Sequence, residues 1–374
     1  MPVAIPTPTQ TMVASLRSPR RLLAATFVVT FLFLVLALRH RESLAGSSPV
    51  RAPLRTEDSN VDREHEHPPG QGGHDQGQVK VQEQEPEPEQ EQEKEQEQDP
   101  RDRELELVVA SVQAEDTSWL HAHLPDWHKN IYVADDPGAA LTVPRNKGRE
   151  AMVYLTYLID RYDSLPRGVL FVHASRFAWH NDDPDYDALP ALRRFRLPHL
   201  RRAGYVNLRC VWVIGCPAEI RPALDAADAD AGGGGPVHAR HVYKAAFEAL
   251  LPGAPVPDLV AVSCCSQFAV TREAIRSRPR ADYIRYREWL LATPLDDALN
   301  GRVFEFAWHI IFGKEAVHCP SAAECYCDVF GLCDLPCQDD SCAGRYTLPP
   351  YSTLPKGWPL VGWDQEERNF TGPL

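Results

Sequence analysis

The sequence predicts an α/β protein: a mainly parallel sheet with flanking helices, set behind one transmembrane helix and a disordered stem. Three observations carry this. Apolar, β-branched runs at Glu104–Val112, Asn130–Ala134 and Gly168–Val172 are interleaved with loops and helical periodicity, the order that a parallel sheet with crossover helices produces. A run of 17 residues from Leu22 to Leu38 is uncharged and apolar apart from two Thr. Between the two lies a stretch rich in Pro, Gly, Gln, Glu and Asp, with too little apolar surface to offset the entropy of ordering.

The apolar run is bounded by Arg20 and Arg21 before it and by Arg39, His40 and Arg41 after it. At about 1.5 Å per residue it reaches roughly 25 Å, enough for a thin secretory membrane with little tilt. A cleaved signal peptide is the competing reading, with Ser43 and Ala45 before Gly46. The run exceeds a usual signal-peptide core, and Arg39 to Glu42 separate it from that site, so an uncleaved anchor is expected. Flanking positive charge places the N-terminus inside by a small margin, and the Asn369-Phe370-Thr371 sequon agrees. The expected organisation is a cytosolic tail (1–21), an anchor (22–38), an acidic stem (39–103), a globular lumenal domain (104–345) and a C-terminal extension (346–374). The expected location is the membrane of the Golgi or endoplasmic reticulum.

The net charge of -13 belongs largely to the stem, since Gln82 to Asp99 alone carries eight Glu and one Asp against one Lys. No basic face interleaved with aromatics is present, which argues against nucleic acid as a partner. All ten Cys lie between Cys210 and Cys342. In a lumenal domain an even set of this kind predicts disulfides, and the spacings lack the paired Cys-x-x-Cys knuckles of structural zinc. Adjacent Cys264 and Cys265 are each expected to pair elsewhere, or one of them to stay buried, rather than to bridge each other.

Within the domain, Glu104–Val112 and Asn130–Ala134 read as strands, the second ending at Asp135 and Asp136. A helix is expected from an Asn146 cap, with Glu150 in the first turn and Met152, Leu155, Leu158, Ile159 and Tyr162 on one apolar face. Gly168–Val172 reads as a buried strand. The segment from Ala226 to Ala239, with four consecutive Gly, reads as an inserted surface loop; without a following Lys-Ser/Thr pair it is no phosphate cradle.

Ligands of such folds sit beyond the carboxyl ends of the strands. The loop after the third strand runs from His173 to Asp187 and brings His173, His180, Asn181, Asp182, Asp183 and Asp185 to that edge. Its oxygen donors suit Mg²⁺ or Mn²⁺, although a solvated acidic loop gives the same pattern. Gly301 to Gly313 reads as one apolar helix with Glu305 and His309 on one face. A carboxylate among Phe304, Phe306, Trp308 and Phe312 has a raised pKa and suits a general base, whereas a buried Glu-His pair that satisfies itself is the structural alternative. His318 is a candidate late metal ligand. No Gly-x-Ser-x-Gly elbow or His-Glu-x-x-His pair points to a serine hydrolase or metalloprotease.

Five segments in order, Asn146 to Pro166, Gly204 to Pro217, Cys264 to Pro279, Gly301 to Gly313 and His318 to Cys333, resemble the fungal family called domain of unknown function 3431. That family distantly resembles the GT-A class of nucleotide-sugar glycosyltransferases. The resemblance implies a metal-dependent transferase with a nucleotide-sugar donor and a glycan or protein acceptor. On a transferase reading, the residues themselves place catalysis at Glu305 and His309, donor binding at Asp135, Asp136, His173, His180 and Asn181, and metal at Asp182, Asp183, Asp185 and His318. His173 stands where that class has an Asp-x-Asp. The other class that fits is a non-catalytic lumenal binding or scaffold domain with the same fold.

Overall fold

In the computed structural model, residues 99–230, 236–349 and 351–374 are described. The tail, the anchor at 22–38, the stem through residue 98 and the glycine run at 232–235 lie outside them. Among the described residues no helix is long and apolar enough to cross a membrane.

The three expected strands form: β1 (Glu106–Ser111), β2 (Lys129–Val133) and β3 (Gly168–His173). β1 lies between the other two and pairs parallel with both, Val108 meeting Asn130 on one side and Phe171 on the other. Further strands are β4 (Tyr205–Asn207), β5 (Ala261–Val262), β6 (Phe268–Thr271) and β7 (Val317–His318). The main sheet has the order β2-β1-β3-β6-β4. β6 is antiparallel to both β3 and β4, so four strands share one direction and one runs against them. β5 and β7 pair separately, in parallel.

Helices cover both faces, which explains why the strands are apolar without alternation. On one face, Val108, Val169, Phe171, Phe268 and Val270 pack against α2 (Glu150–Asp160), α6 (Ala239–Leu250), α8 (Arg280–Ala292), α9 (Asp297–Glu305) and α10 (Trp308–Ile311). On the other, Leu107, Val109, Leu170, Val172 and Ala269 pack against α1 (Ser118–His123), α3 (Ala188–Arg194), α4 (Leu197–Ala203) and α11 (Ala322–Phe330). Two helices complete the set, α5 (Pro222–Asp230) and α7 (Arg272–Arg276). α5 reaches into the expected inserted loop over residues 226–230, whereas residues 236–238 form no helix and residues 231–235 lie outside the described ones.

Helix α2 starts later than its sequence suggests. Its N-cap is Arg149 rather than Asn146, and Ala151 through Ile159 are all buried, so the expected amphipathic helix is a core helix without a solvent face. The delay comes from a turn in which Gly148 and Arg149 both take positive φ, 72° and 53°. The Asp297 carboxylate holds that turn by accepting the Gly148 N–H at 2.9 Å.

All ten Cys are bonded, as Cys210–Cys325, Cys216–Cys319, Cys264–Cys265, Cys327–Cys333 and Cys337–Cys342. The first two staple the segment after β4 to the start of α11. The third corrects the expectation for Cys264 and Cys265, which do bridge each other. Their Cα atoms are 3.7 Å apart in a turn where Cys265 and Ser266 have φ of 91° and 48°.

Candidate active site

A cleft of about 770 Å³ opens at the carboxyl edge of β1, β2 and β3. Ser111 ends β1 and Val112 and Glu115 follow it, Ala134 follows β2, and His173 ends β3 with Ser175 beyond it. The opposite wall is Asn146, Arg149 and Glu150 at the start of α2, with Cys265, Gly301, Arg302 and Glu305 beside them. Trp179, His180 and Tyr351 form the aromatic rim. Gly301 permits the close approach of α9 to the turn before α2, since a Cβ there would stand 3.2 Å from the Gly148 carbonyl oxygen.

Three carboxylates meet in the cleft, each held differently. Glu115 accepts from the Val112 N–H at 3.0 Å and from the Ser175 hydroxyl at 3.2 Å. Glu305 accepts from the Cys265 N–H at 2.6 Å and lies 3.7 Å from the Arg302 guanidinium. Glu150 lies 4.0 Å from Nε2 of His173. Burial raises the pKa of Glu305; Arg302 and the Cys265 N–H oppose the rise, and the charge of Glu150 adds to it. Burial likewise raises Glu150. His173 is drawn down to about 4 by burial, against the pull of Glu115 and Glu305. His180 is drawn down as well, first by burial and then by His173. Two half-buried carboxyls pushed up and two imidazoles kept neutral in one cleft are the perturbation expected where protons are moved.

The structure brings together three of the residues singled out from the sequence, Glu305, His173 and His180. The others lie elsewhere. Asp135 accepts the Gln113 N–H of the loop after β1, and Asp136 caps its own turn by accepting the Gly138 N–H, at 2.8 Å each. Asn181 donates to the carbonyls of Arg176 and Tyr186 and so closes the loop on itself. Asp182 accepts from the N–H of Cys210 at 2.6 Å, from that of Val211 and from the Tyr326 hydroxyl. Asp183 caps the Asp185 N–H at 2.9 Å and faces Arg345 at 3.8 Å, while Asp185 pairs with Arg368 at 2.5 Å. Asp182 thus ties the loop to the segment after β4 and to α11, Asp183 and Asp185 face Arg345 and Arg368, and all three line a second cleft. His318 lines a separate cavity of about 200 Å³ with Lys314 and Asn207.

The expected single helix from Gly301 to Gly313 is broken. α9 ends at Glu305, Phe306 and Ala307 form a turn, and α10 begins at Trp308. The break rotates His309 away from Glu305, and its Nε2 meets the Ala316 carbonyl oxygen at 3.0 Å in the core. Glu305 therefore stands in the cleft without that partner.

A metal was expected on the acidic loop, and the donor set there does not suit one, because its oxygens are engaged by N–H groups, a phenol and guanidinia. Among the described residues, one group of three His, Cys, Asp or Glu has ligand atoms within 4.8 Å of one another: Cys264, Cys265 and Glu305. The two sulfurs are bonded to each other and offer no thiolate.

Glu115, Arg149, Glu150, Arg302 and Tyr351 were not singled out from the sequence as site residues. The rule that ligands lie beyond strand ends reaches Glu115. Glu150 was visible only as a first-turn acid, because its place beside His173 depends on how α2 docks on β3.

The fold is that of an α/β protein with a cleft at the carboxyl edge of a mostly parallel sheet. The chain belongs to the family described as Protein of unknown function (DUF3431), whose match spans residues 107–328. That span contains every cleft residue named above except Tyr351. No curated protein and no solved structure matches the chain.

Proposed function

We propose that the domain is a glycosyltransferase of the secretory pathway, moving a sugar from a nucleotide-sugar donor to a hydroxyl of a glycan or protein. The observation that carries this reading is the strand-end cleft in which the half-buried Glu305 carboxyl faces open volume beside Arg302, Arg149 and the Trp179 and Tyr351 rings. The distant GT-A likeness of the sequence motifs points the same way, as does a sheet with one reversed strand and its cleft at the carboxyl edge. Five disulfides support an oxidising lumen, and the apolar run at 22–38 supports a type II anchor.

In this reading the Glu305 carboxylate takes the proton of the acceptor hydroxyl as its oxygen bonds the sugar C1. The bond from C1 to the diphosphate oxygen breaks, and the nucleoside diphosphate leaves with that electron pair. The Cys265 N–H and Arg302 hold Glu305 in place and favour its ionised form. Arg149 and Arg302 meet phosphate oxygens, and Trp179 and Tyr351, 5.2 Å apart between centroids, present faces for a sugar or base. A divalent ion, when bound, neutralises charge on the leaving group.

Thermal unfolding of the full chain with millimolar nucleotide sugars tests the proposal. Binding to the native state alone stabilises by about 2.7 kcal/mol at a hundredfold excess over Kd. A screen in which no nucleoside diphosphate or nucleotide sugar raises Tm rejects the reading.

A further inference from the structure

The third strand ends in His173, whose Nε2 is a buried atom with no hydrogen-bond partner. It lines the cleft, 4.0 Å from Oε2 of Glu150 at the start of α2. A neutral imidazole nitrogen facing a carboxylate at that distance is a poor hydrogen bond and a weak ion pair. It is, however, a span that one cation can bridge, since divalent ions take nitrogen and oxygen ligands at about 2.0–2.2 Å. We infer that His173 and Glu150 are the protein ligands of a divalent metal ion whose remaining positions are filled by the diphosphate of the donor and by water.

This inference rests on the transferase reading of the same cleft and deepens it. Two protein ligands are enough there, because ions that work on nucleotides are held by one or two side chains plus the substrate's phosphates. The surroundings support the assignment. The side-chain oxygen of Gln267 accepts the His173 backbone N–H at 3.1 Å and fixes the end of the strand. Glu115 and Glu305 turn negative potential on the imidazole, and Arg149 opposes them from the rim. The mixed nitrogen and oxygen set selects Mn²⁺ or Zn²⁺ over Mg²⁺ and Ca²⁺, which prefer oxygen alone. The loop acids Asp182, Asp183 and Asp185, already engaged with other groups, take no part.

The test is a Mn²⁺ titration of the full chain by electron paramagnetic resonance, with and without uridine diphosphate as probe, in the parent, His173→Ala, His173→Gln, Glu150→Gln and Asp183→Asn. Circular dichroism identifies the variants that fold. Expected are one bound Mn²⁺ per chain with the nucleotide present, and a loss of affinity greater than tenfold in Glu150→Gln and in whichever His173 variant folds. That exceeds the low end of the effect of a merely supporting residue. Asp183→Asn should bind as the parent does. Mn²⁺ lost in Asp183→Asn and kept in the His173 variants would place the ion on the acidic loop and overturn the inference. No Mn²⁺ or Zn²⁺ bound at millimolar concentration overturns it too. In that case a rise in Tm on adding uridine diphosphate with chelator present leaves the transferase reading standing, and no rise removes both.

Discussion

The two long-range disulfides can be tested through their coupling. Cys210–Cys325 and Cys216–Cys319 span sequence separations of 115 and 103 and are nested. In the chain-entropy account, a first link closing a loop of that length stabilises by about 4.7 kcal/mol. With one link present, the second closes only the short ring formed by residues 210–216 and 319–325. A ring of roughly a dozen residues is worth about 2.9 kcal/mol by the same relation. Replacing either pair by Ala should therefore cost about 3 kcal/mol. Replacing both should cost about 7.6 kcal/mol, some 2 kcal/mol more than the sum of the singles. Cys210 is 1 % exposed and Cys325 5 %, so that pair should add a further cost for lost sulfur contacts. Urea unfolding of the full chain under non-reducing conditions measures each difference. Additive losses, or singles costing under about 1 kcal/mol, would refute the nested arrangement.

Glu305→Gln should lower turnover by about 10²–10⁴-fold, the usual range for a general base, while the amide oxygen still accepts the Cys265 N–H and the fold persists. Parent activity should fall with decreasing pH at a value above the ordinary carboxylate range, because burial raises the Glu305 pKa and protonation removes the base. Gly215→Ala should abolish soluble expression, as a Cβ there would lie 1.9 Å from the Val262 carbonyl oxygen at a φ of 108°. Glu106→Ala should cost about 3–5 kcal/mol in urea unfolding, since it strips Arg103, Asn130 and Tyr157 of a buried partner. His173, His309 and His318 are each drawn to about 4, so the unfolded chain binds more protons between about 4 and 6.5, and these groups cost stability as pH falls. Asp183, raised to about 6 by burial, acts in the opposite sense. Melting curves over that window should therefore steepen in Asp183→Asn and flatten in His309→Gln.

What was legible in the sequence was local. β1, β2 and β3 announce themselves because a strand buried on both faces must be apolar along its length. The same regularity placed the cleft at their carboxyl ends, and the aromatic surroundings of Glu305 made its raised pKa readable. The helix expected across Gly301–Gly313 looked continuous because apolar residues there satisfy a helical pattern with or without a break. The break at Phe306 and Ala307 follows from the need to pack Trp308 and Phe312 against Phe268.

The sequence by itself determined the acidic stretch, the apolar run at 22–38, the cysteine-bearing domain and the parallel half of the sheet, since each depends on composition or short-range periodicity. Only the tertiary structure decided that Asp182 binds the segment after β4 and Tyr326 of α11, that Asp183 and Asp185 meet Arg345 and Arg368, and that Cys264 bonds Cys265. It alone brought Glu150 to His173 and Cys265 to Glu305. Those residues are separated by 23 and 40 positions, and their meeting depends on how α2 and α9 dock on the sheet edge, which no local pattern encodes.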